Sequence, residues 1–128
     1  MTAPVVVAVL VAGIMGGLAR YGISLALAKR PSFPWAVLVV NVLASAFGGV
    51  ALGLADKGIV SAEWRLILLT GICGGLSTFS TWSVETVQLI QSGRWRTALA
   101  SVSLNLVVSL AVAVLGFVVV TAAVTAAH

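Results

Sequence analysis

Charge is scarce in this sequence of 128 residues, of which only 8% are charged, with seven basic and three acidic side chains. Water-soluble domains carry about a quarter charged residues. Instead, 61% of the residues are hydrophobic and the mean hydropathy is +1.20. This composition excludes a soluble globular domain and indicates a protein whose solvent is a lipid bilayer. The length allows one domain, so we expect residues 1–128 to form a single unit.

Residues for metal binding and catalysis are equally scarce. The one cysteine, Cys73, cannot form an internal disulfide or supply a metal site, and we interpret it as a small packing residue. The one histidine, His128, is the last residue. The sequence has no Ser/His/Asp set, metal-ligand cluster or phosphate-binding loop, so we predict that it is not an enzyme.

The formal net charge of +4 does not indicate a nucleic-acid partner, because the basic residues are scattered at predicted helix ends and form no patch. Four of them lie in the first and third loops and two on the opposite side, beside acidic residues. This is a weak bias under the positive-inside rule. The chain could insert in both orientations, which permits an antiparallel dimer, or in one orientation with the four-charge side inside. The four basic residues of the first and third loops are Lys29, Arg30, Arg94 and Arg96, and the two on the opposite side are Lys57 and Arg65.

Four apolar segments are each near the ~20 residues needed to cross the hydrocarbon. They cover approximately residues 4–28, 34–55, 62–91 and 96–123. The loops between them are short, so consecutive helices should be antiparallel neighbours. We predict an all-α, multi-pass protein of the cell membrane.

The third segment contains the least typical stretch, GICGGLSTFSTW, from Gly71 to Trp82. We expect Gly74 and Gly75 to offer little resistance to unwinding, and the hydroxyls that follow can satisfy freed backbone groups or touch an ion. Irregular backbone at membrane depth is tolerated only where it is buried in protein or lines a wet cavity. The stretch therefore predicts a helix broken near its middle and a site for an ion or solute.

Polar side chains recur on one face of other spans. Asn41 and Ser45 are four residues apart, and Ser101, Asn105 and Ser109 form a second stripe with the same spacing. Such groups are costly in lipid unless partnered, so they form either interhelical hydrogen bonds or a polar path. A cation path would normally show carboxylates or carbonyl rings. Because no acid lies at mid-membrane, amide and hydroxyl donors favour a small anion.

Two charged residues lie inside spans. Arg20 precedes Lys29 by nine residues and Glu85 precedes Arg94 by nine, so both should lie at similar depth on the same side. We predict a structural charge pair, within one subunit or across a dimer. The alternatives for Arg20 are snorkelling to the interface and a vestibule charge that attracts anions.

Together these residues resemble the CrcB/Fluc family of fluoride channels. The matching segments are GGLARYG at Gly16–Gly22, Asn41, GICGGLSTFSTWSVE at Gly71–Glu85, and LNLVVS at Leu104–Ser109. The resemblance covers essentially the whole chain in order, and its third-helix motif is specific.

The resemblance implies four-helix subunits that assemble as antiparallel, dual-topology dimers with two pores and export fluoride passively. Its partners would be fluoride, the bilayer and an inverted second copy. The implied pore positions comprise an amide on the second helix, aromatic and hydroxyl groups at the break, and polar groups on the fourth helix. They are Asn41, Thr78, Phe79, Ser80, Thr81, Trp82, Asn105 and Ser109.

The resemblance also implies a structural Na⁺ at the dimer centre, held by main-chain carbonyls at Gly74 and Ser77 from both subunits. Carbonyl oxygens suit a hard cation. Ser77 stands where the family usually has Thr, and Trp82 where it has its second pore Phe. The indole is bulkier and adds an N–H donor, so it could bind the anion or narrow the pore. This difference also leaves open a paralogous partner subunit.

Two other classes compete with a channel. A small multidrug or cation exchanger needs a titratable group at membrane depth, and the first helix has no acid, which leaves only Glu85 near a helix end. A non-conducting subunit of a larger or heterodimeric complex is compatible with the glycine motifs but does not require the hydroxyl-aromatic break.

Overall fold

A computed structural model describes residues 1–30 and 32–128, and within these ranges the regular elements are helices. Four stretches are long and apolar enough to cross a membrane, namely Ala3–Leu27, Trp35–Asp56, Ala62–Gln91 and Trp95–Ala126. The first two are the continuous helices α1 (Ala3–Leu27) and α2 (Trp35–Asp56). The third comprises α3 (Ala62–Leu66), a π-helical segment (Ile67–Cys73), α4 (Gly74–Leu76) and α5 (Ser80–Gln91), and the fourth is α6 (Trp95–Ala126). The prediction of an all-α protein with four spans is confirmed.

Local sequence signals account for the helix ends. Pro4 lies in the first turn of α1 and Pro34 is the N-cap of α2, positions where a missing N–H removes no helical hydrogen bond. The Ser61 side chain caps α3 by accepting a hydrogen bond from the Trp64 N–H at 3.3 Å. Gly58 and Gly93 follow α2 and α5 with φ of +71° and +78°, a conformation that a side chain would strain.

The third span is interrupted at 77–79, which is not helical, so the predicted bend near its middle is present. We expected the backbone to unwind at the glycine pair, and this expectation is wrong. Gly74 and Gly75 both belong to α4, and Gly74 has helical φ and ψ of −64° and −36°. The distortion at Ile67–Cys73 is instead a π-helix, a form that is rare and frequent at functional sites.

Gly75 has a packing role instead. A Cβ added at Gly75 would collide with the backbone carbonyl of Gly13 on α1, and one at Gly16 would lie 2.9 Å from the Leu76 nitrogen. The contact with α1 therefore requires the two backbones to approach more closely than side chains allow. Such small-residue contacts are the usual basis of helix association in membranes.

The most extensive packing between helices is that of α2 against α6. A Cβ at Gly49 would collide with the Ala113 carbonyl, and one at Gly53 would lie 3.1 Å from the Phe117 oxygen. The Gly49/Gly53 pair of α2 therefore brings α6 close. As a result, the polar residues of α2 and α6 face each other beside the interrupted third span.

Candidate functional site

The interruption at 77–79 is held open by a side chain from another helix. The Thr78 N–H donates to Asn41 Oδ1 at 2.9 Å, and Asn41 Nδ2 donates to the Thr78 carbonyl at 3.2 Å. Asn41 thus pairs with both backbone groups of Thr78, as a neighbouring strand would. These bonds replace helical ones and satisfy backbone groups that would otherwise be unpaired at membrane depth.

Asn41 also joins this backbone to α6. Its Nδ2 donates to Asn105 Oδ1 at 2.9 Å, and Asn105 Nδ2 donates to the Ser101 carbonyl at 2.9 Å. Asn105 is 6% exposed and Ser101 1%. The network of Asn41, Thr78, Asn105 and Ser101 connects α2, the interruption and α6, and we call it the asparagine clamp.

The clamp frees two main-chain carbonyls. In a continuous helix the N–H groups of Thr78 and Thr81 would donate to the carbonyls of Gly74 and Ser77. Here the Thr78 N–H donates to Asn41, and the Thr81 N–H donates to Thr78 Oγ1 at 3.2 Å. The carbonyls of Gly74 and Ser77 therefore lose their helical donors and can accept other partners.

A cavity of about 300 Å³ lies beside the clamp, and we call it the polar cavity. Six of the eight predicted pore residues line it, together with three residues outside those eight. Its lining comprises Asn41, Ser45, Ser77, Thr78, Phe79, Trp82, Asn105, Leu106 and Ser109. The lining contains hydroxyl, amide and aromatic groups and no charged side chain, so it offers hydrogen-bond donors without fixed charge.

The remaining two predicted pore residues lie elsewhere. Thr81 lines a different cavity, and Ser80 is exposed at the start of α5. Sequence reasoning placed Ser45 with Asn41 on a candidate polar path and Ser77 at the implied Na⁺ site, without counting either among the pore residues. It missed Leu106, because an apolar residue on a lipid-embedded helix is unremarkable by itself.

Two aromatic rings form one wall of the polar cavity. The centroids of Phe79 and Trp82 are 5.4 Å apart and the ring planes are tilted by 59°. Phe79 is 74% exposed in the single chain, whereas Trp82 is half-buried. Tilted rings present edges, which carry partial positive charge, and an anion prefers edges to faces.

Several buried polar atoms near this site have no hydrogen-bond partner among the described residues. They are Trp82 Nε1, Ser109 Oγ, Ser101 Oγ and Glu85 Oε2. The first two belong to residues that line the polar cavity. Unpaired buried donors are costly, and the two at the polar cavity indicate a place where a polar ligand is expected.

A second cavity, of about 600 Å³, lies at the end of the molecule that carries the first and third loops, and we call it the outer cavity. Arg30, Glu85 and Arg94 supply the charge in its lining. The Arg94 guanidinium donates to the Ser32 carbonyl, which ties the two loops together. Because α5 contributes Trp82 to the polar cavity and Glu85 to the outer one, it lines both.

The predicted pair of Arg20 with Glu85 stays a prediction. Glu85 lines the outer cavity and Arg20 is half-buried on α1, outside that lining. Glu85 Oε2 has no hydrogen-bond partner among residues 1–30 and 32–128, which leaves that oxygen available to a partner from another subunit. Sequence reasoning did not place Arg30 and Arg94 at a cavity, since their loop positions suggested topology alone.

The fold and site together define a multi-pass membrane protein with an uncharged, donor-lined cavity at a helix interruption. Comparison with known proteins gives the family. The profile described as "CrcB-like protein, Camphor Resistance (CrcB)" matches residues 7–117. The chain belongs to this CrcB-like family.

Curated relatives of the chain carry the name fluoride-specific ion channel FluC. The protein from Pyrococcus horikoshii is 42% identical over 119 residues, which are 92% of this chain and 97% of the relative. That from Pyrococcus furiosus is 48% identical over 111 residues, 86% and 90% of the two chains. That from Nitrosomonas europaea is 39% identical over 118 residues, 91% and 93%.

Proposed function

We propose that this chain is a fluoride-selective channel that lets fluoride leave the cell passively across the cell membrane. The family and its relatives support a fluoride channel. The observation that carries the proposal is the polar cavity, where uncharged donors converge beside an interrupted helix. A small anion there can exchange its hydration shell for hydrogen bonds from the protein.

The character of the lining favours conduction over tight binding. An ion must bind well enough to enter and weakly enough to leave. A lysine or arginine in the lining would hold fluoride strongly, and a carboxylate would repel it; the polar cavity is lined by neither. An exchanger that couples cations to protons would need an acid at this depth, and the acid on α5, Glu85, lines the outer cavity instead.

We propose that the functional unit is a dimer with an inverted second copy. Phe79, in the interruption, is 74% exposed, and Gly74, on the short helix α4 that precedes it, is also exposed. A partner covering this face would enclose both residues. Four basic loop residues on one side against two on the other leave both orientations accessible to insertion. A paralogous subunit could fill the same position, and the experiment below separates the two cases.

We also propose a structural Na⁺ at the dimer centre, held by the carbonyls of Gly74 and Ser77 from both subunits. Their helical donors are directed elsewhere by the asparagine clamp, and neutral carbonyl oxygens suit a hard monovalent cation. The ion would neutralise carbonyl dipoles that would otherwise face each other between the two copies.

Fluoride efflux from liposomes that contain only this purified chain tests the function. We expect rapid fluoride release and no chloride release from matched vesicles. Release that scales with the fraction of liposomes holding two or more copies would establish a homodimer. If folded protein releases no fluoride, the homodimeric channel is refuted, and co-reconstitution with a paralogous subunit would show whether the chain is half of a heterodimer.

A further inference from the structure

The asparagine clamp takes up the amide donors of Asn41 and one of the two from Asn105. Both N–H groups of Asn41 Nδ2 are engaged, one by the Thr78 carbonyl and one by Asn105 Oδ1. One N–H of Asn105 donates to the Ser101 carbonyl. Asn41 therefore has no N–H left to offer a ligand, and its position beside the polar cavity reflects a structural role.

Two other residues of the polar cavity carry polar atoms without a partner. Trp82 and Ser109 line this cavity, and their Nε1 and Oγ atoms are buried and have no hydrogen-bond partner among the described residues. A hydroxyl can donate or accept, whereas an indole N–H can only donate. The group that satisfies Trp82 must therefore be an acceptor, and the lining contains no carboxylate that could serve.

We propose that the Trp82 indole N–H donates a hydrogen bond to fluoride in the polar cavity and sets how strongly the anion is held there. This inference rests on the proposed function. A hydrogen bond to an ionised acceptor is about twice as strong as one between neutral groups. Because Nε1 is buried in the single chain, its acceptor must be small and desolvated.

The neighbouring ring supports the same assignment. Phe79 and Trp82 both line the polar cavity, with ring centroids 5.4 Å apart and planes tilted by 59°, so an ion held by the indole N–H also lies near the phenyl ring. Trp82 thereby adds a directional donor to a wall that phenyl rings would line with C–H edges alone. We expect fluoride to dwell longer here than it would beside two phenyl rings.

Fluoride titration of the ¹⁵N-indole-labelled protein in micelles, followed by NMR, reads the N–H directly. Of the four indole signals, we expect one to move downfield and saturate with NaF but not with NaCl, and to vanish in Trp82→Phe. Trp95→Phe, a change at a residue that is 58% exposed, is the matched control and should retain the moving signal. A Trp82 signal that fluoride leaves unmoved, in a preparation that conducts in liposomes, overturns the inference and leaves the proposed function standing.

A second variant separates the N–H from the bulk of the ring. Benzothienylalanine at position 82, in a chain whose exposed Trp35, Trp64 and Trp95 are changed to Phe, keeps the bicyclic shape and lacks the donor. We expect fluoride to bind the benzothienylalanine protein about tenfold more weakly than it binds the same chain with Trp82 retained. Equal affinity in the two proteins refutes the inference, whatever the conduction rate. Failure of the Trp82 protein to conduct fluoride would count against the proposed function separately.

Discussion

Asn41→Ala tests whether the asparagine clamp holds the interruption in the third span. The change removes a side chain that makes three hydrogen bonds, two with the backbone of Thr78 and one with Asn105. It leaves the Thr78 N–H and carbonyl and Asn105 Oδ1 without these partners. The hydrogen-bonded connection that Asn41 of α2 makes between the third span and α6 is then lost.

The magnitude follows from the number of bonds. Hydrogen bonds between side chains within membranes average about 0.6 kcal/mol, with a maximum near 1.7. Three of them, lost together, predict a decrease in the free energy of unfolding of about 2–5 kcal/mol, if the freed groups find no new partner. Water entering the polar cavity, which has room at about 300 Å³, would bring the value toward the lower end.

Reversible unfolding in mixed micelles, followed by circular dichroism, measures this change. Ser45→Ala is the matched control, since Ser45 lies one turn further along α2 and lines the same cavity without taking part in the clamp. We expect the control to lie within about 0.5 kcal/mol of the parent. The double change with Asn105→Ala should give a coupling energy of roughly 1 kcal/mol for the bond between the two amides. A loss below about 0.5 kcal/mol for Asn41→Ala, or no coupling, would refute the clamp.

Two further changes test the packing and capping at the same site. Gly75→Ala should destabilise the protein by about 1–3 kcal/mol in the same assay, because its Cβ would meet the Gly13 carbonyl, which belongs to the backbone and cannot move aside. Gly17→Ala is its control, since an added Cβ meets nothing within 4 Å, and a comparable loss there would contradict the packing explanation. Thr78→Val should cost about 1 kcal/mol, because Thr78 Oγ1 caps α5 through the Thr81 N–H. Hydrogen exchange confined to the first turn of α5 should rise, and unchanged protection there would argue against the cap.

The glycine pair in the third span illustrates how far a local motif can be interpreted. The sequence GG followed by hydroxyls indicated irregular backbone, and irregular backbone is present within a few residues, at 77–79. The sequence did not locate this irregular backbone, because the expectation for Gly74 and Gly75 rested only on the low helix propensity of glycine. Propensity yields to packing where Gly75 must fit against Gly13 in a helical conformation.

The pore residues illustrate a second limit. Asn41 lies at the polar cavity, and its engagement with Thr78 and Asn105 depends on residues 37 and 64 positions away in the chain. Helical periodicity predicts which residues share one face of one helix. It contains no information about which neighbouring helix presents a matching donor or acceptor, so it could not distinguish a pore amide from a structural one.

Composition and local pattern were sufficient for an all-α membrane protein, the number of spans and the neighbourhood of the interruption in the third span. They suffice because a bilayer demands about 20 apolar residues per crossing and makes every polar residue within a crossing conspicuous. The roles of individual polar groups arose from contacts between helices. Asn41 diverts the Thr78 N–H from its helical acceptor, and the resulting network frees the Gly74 carbonyl while leaving the Trp82 N–H unpaired. A hydrogen bond needs a particular donor close to a particular acceptor, and atoms on different helices reach bonding distance only once the helices have packed.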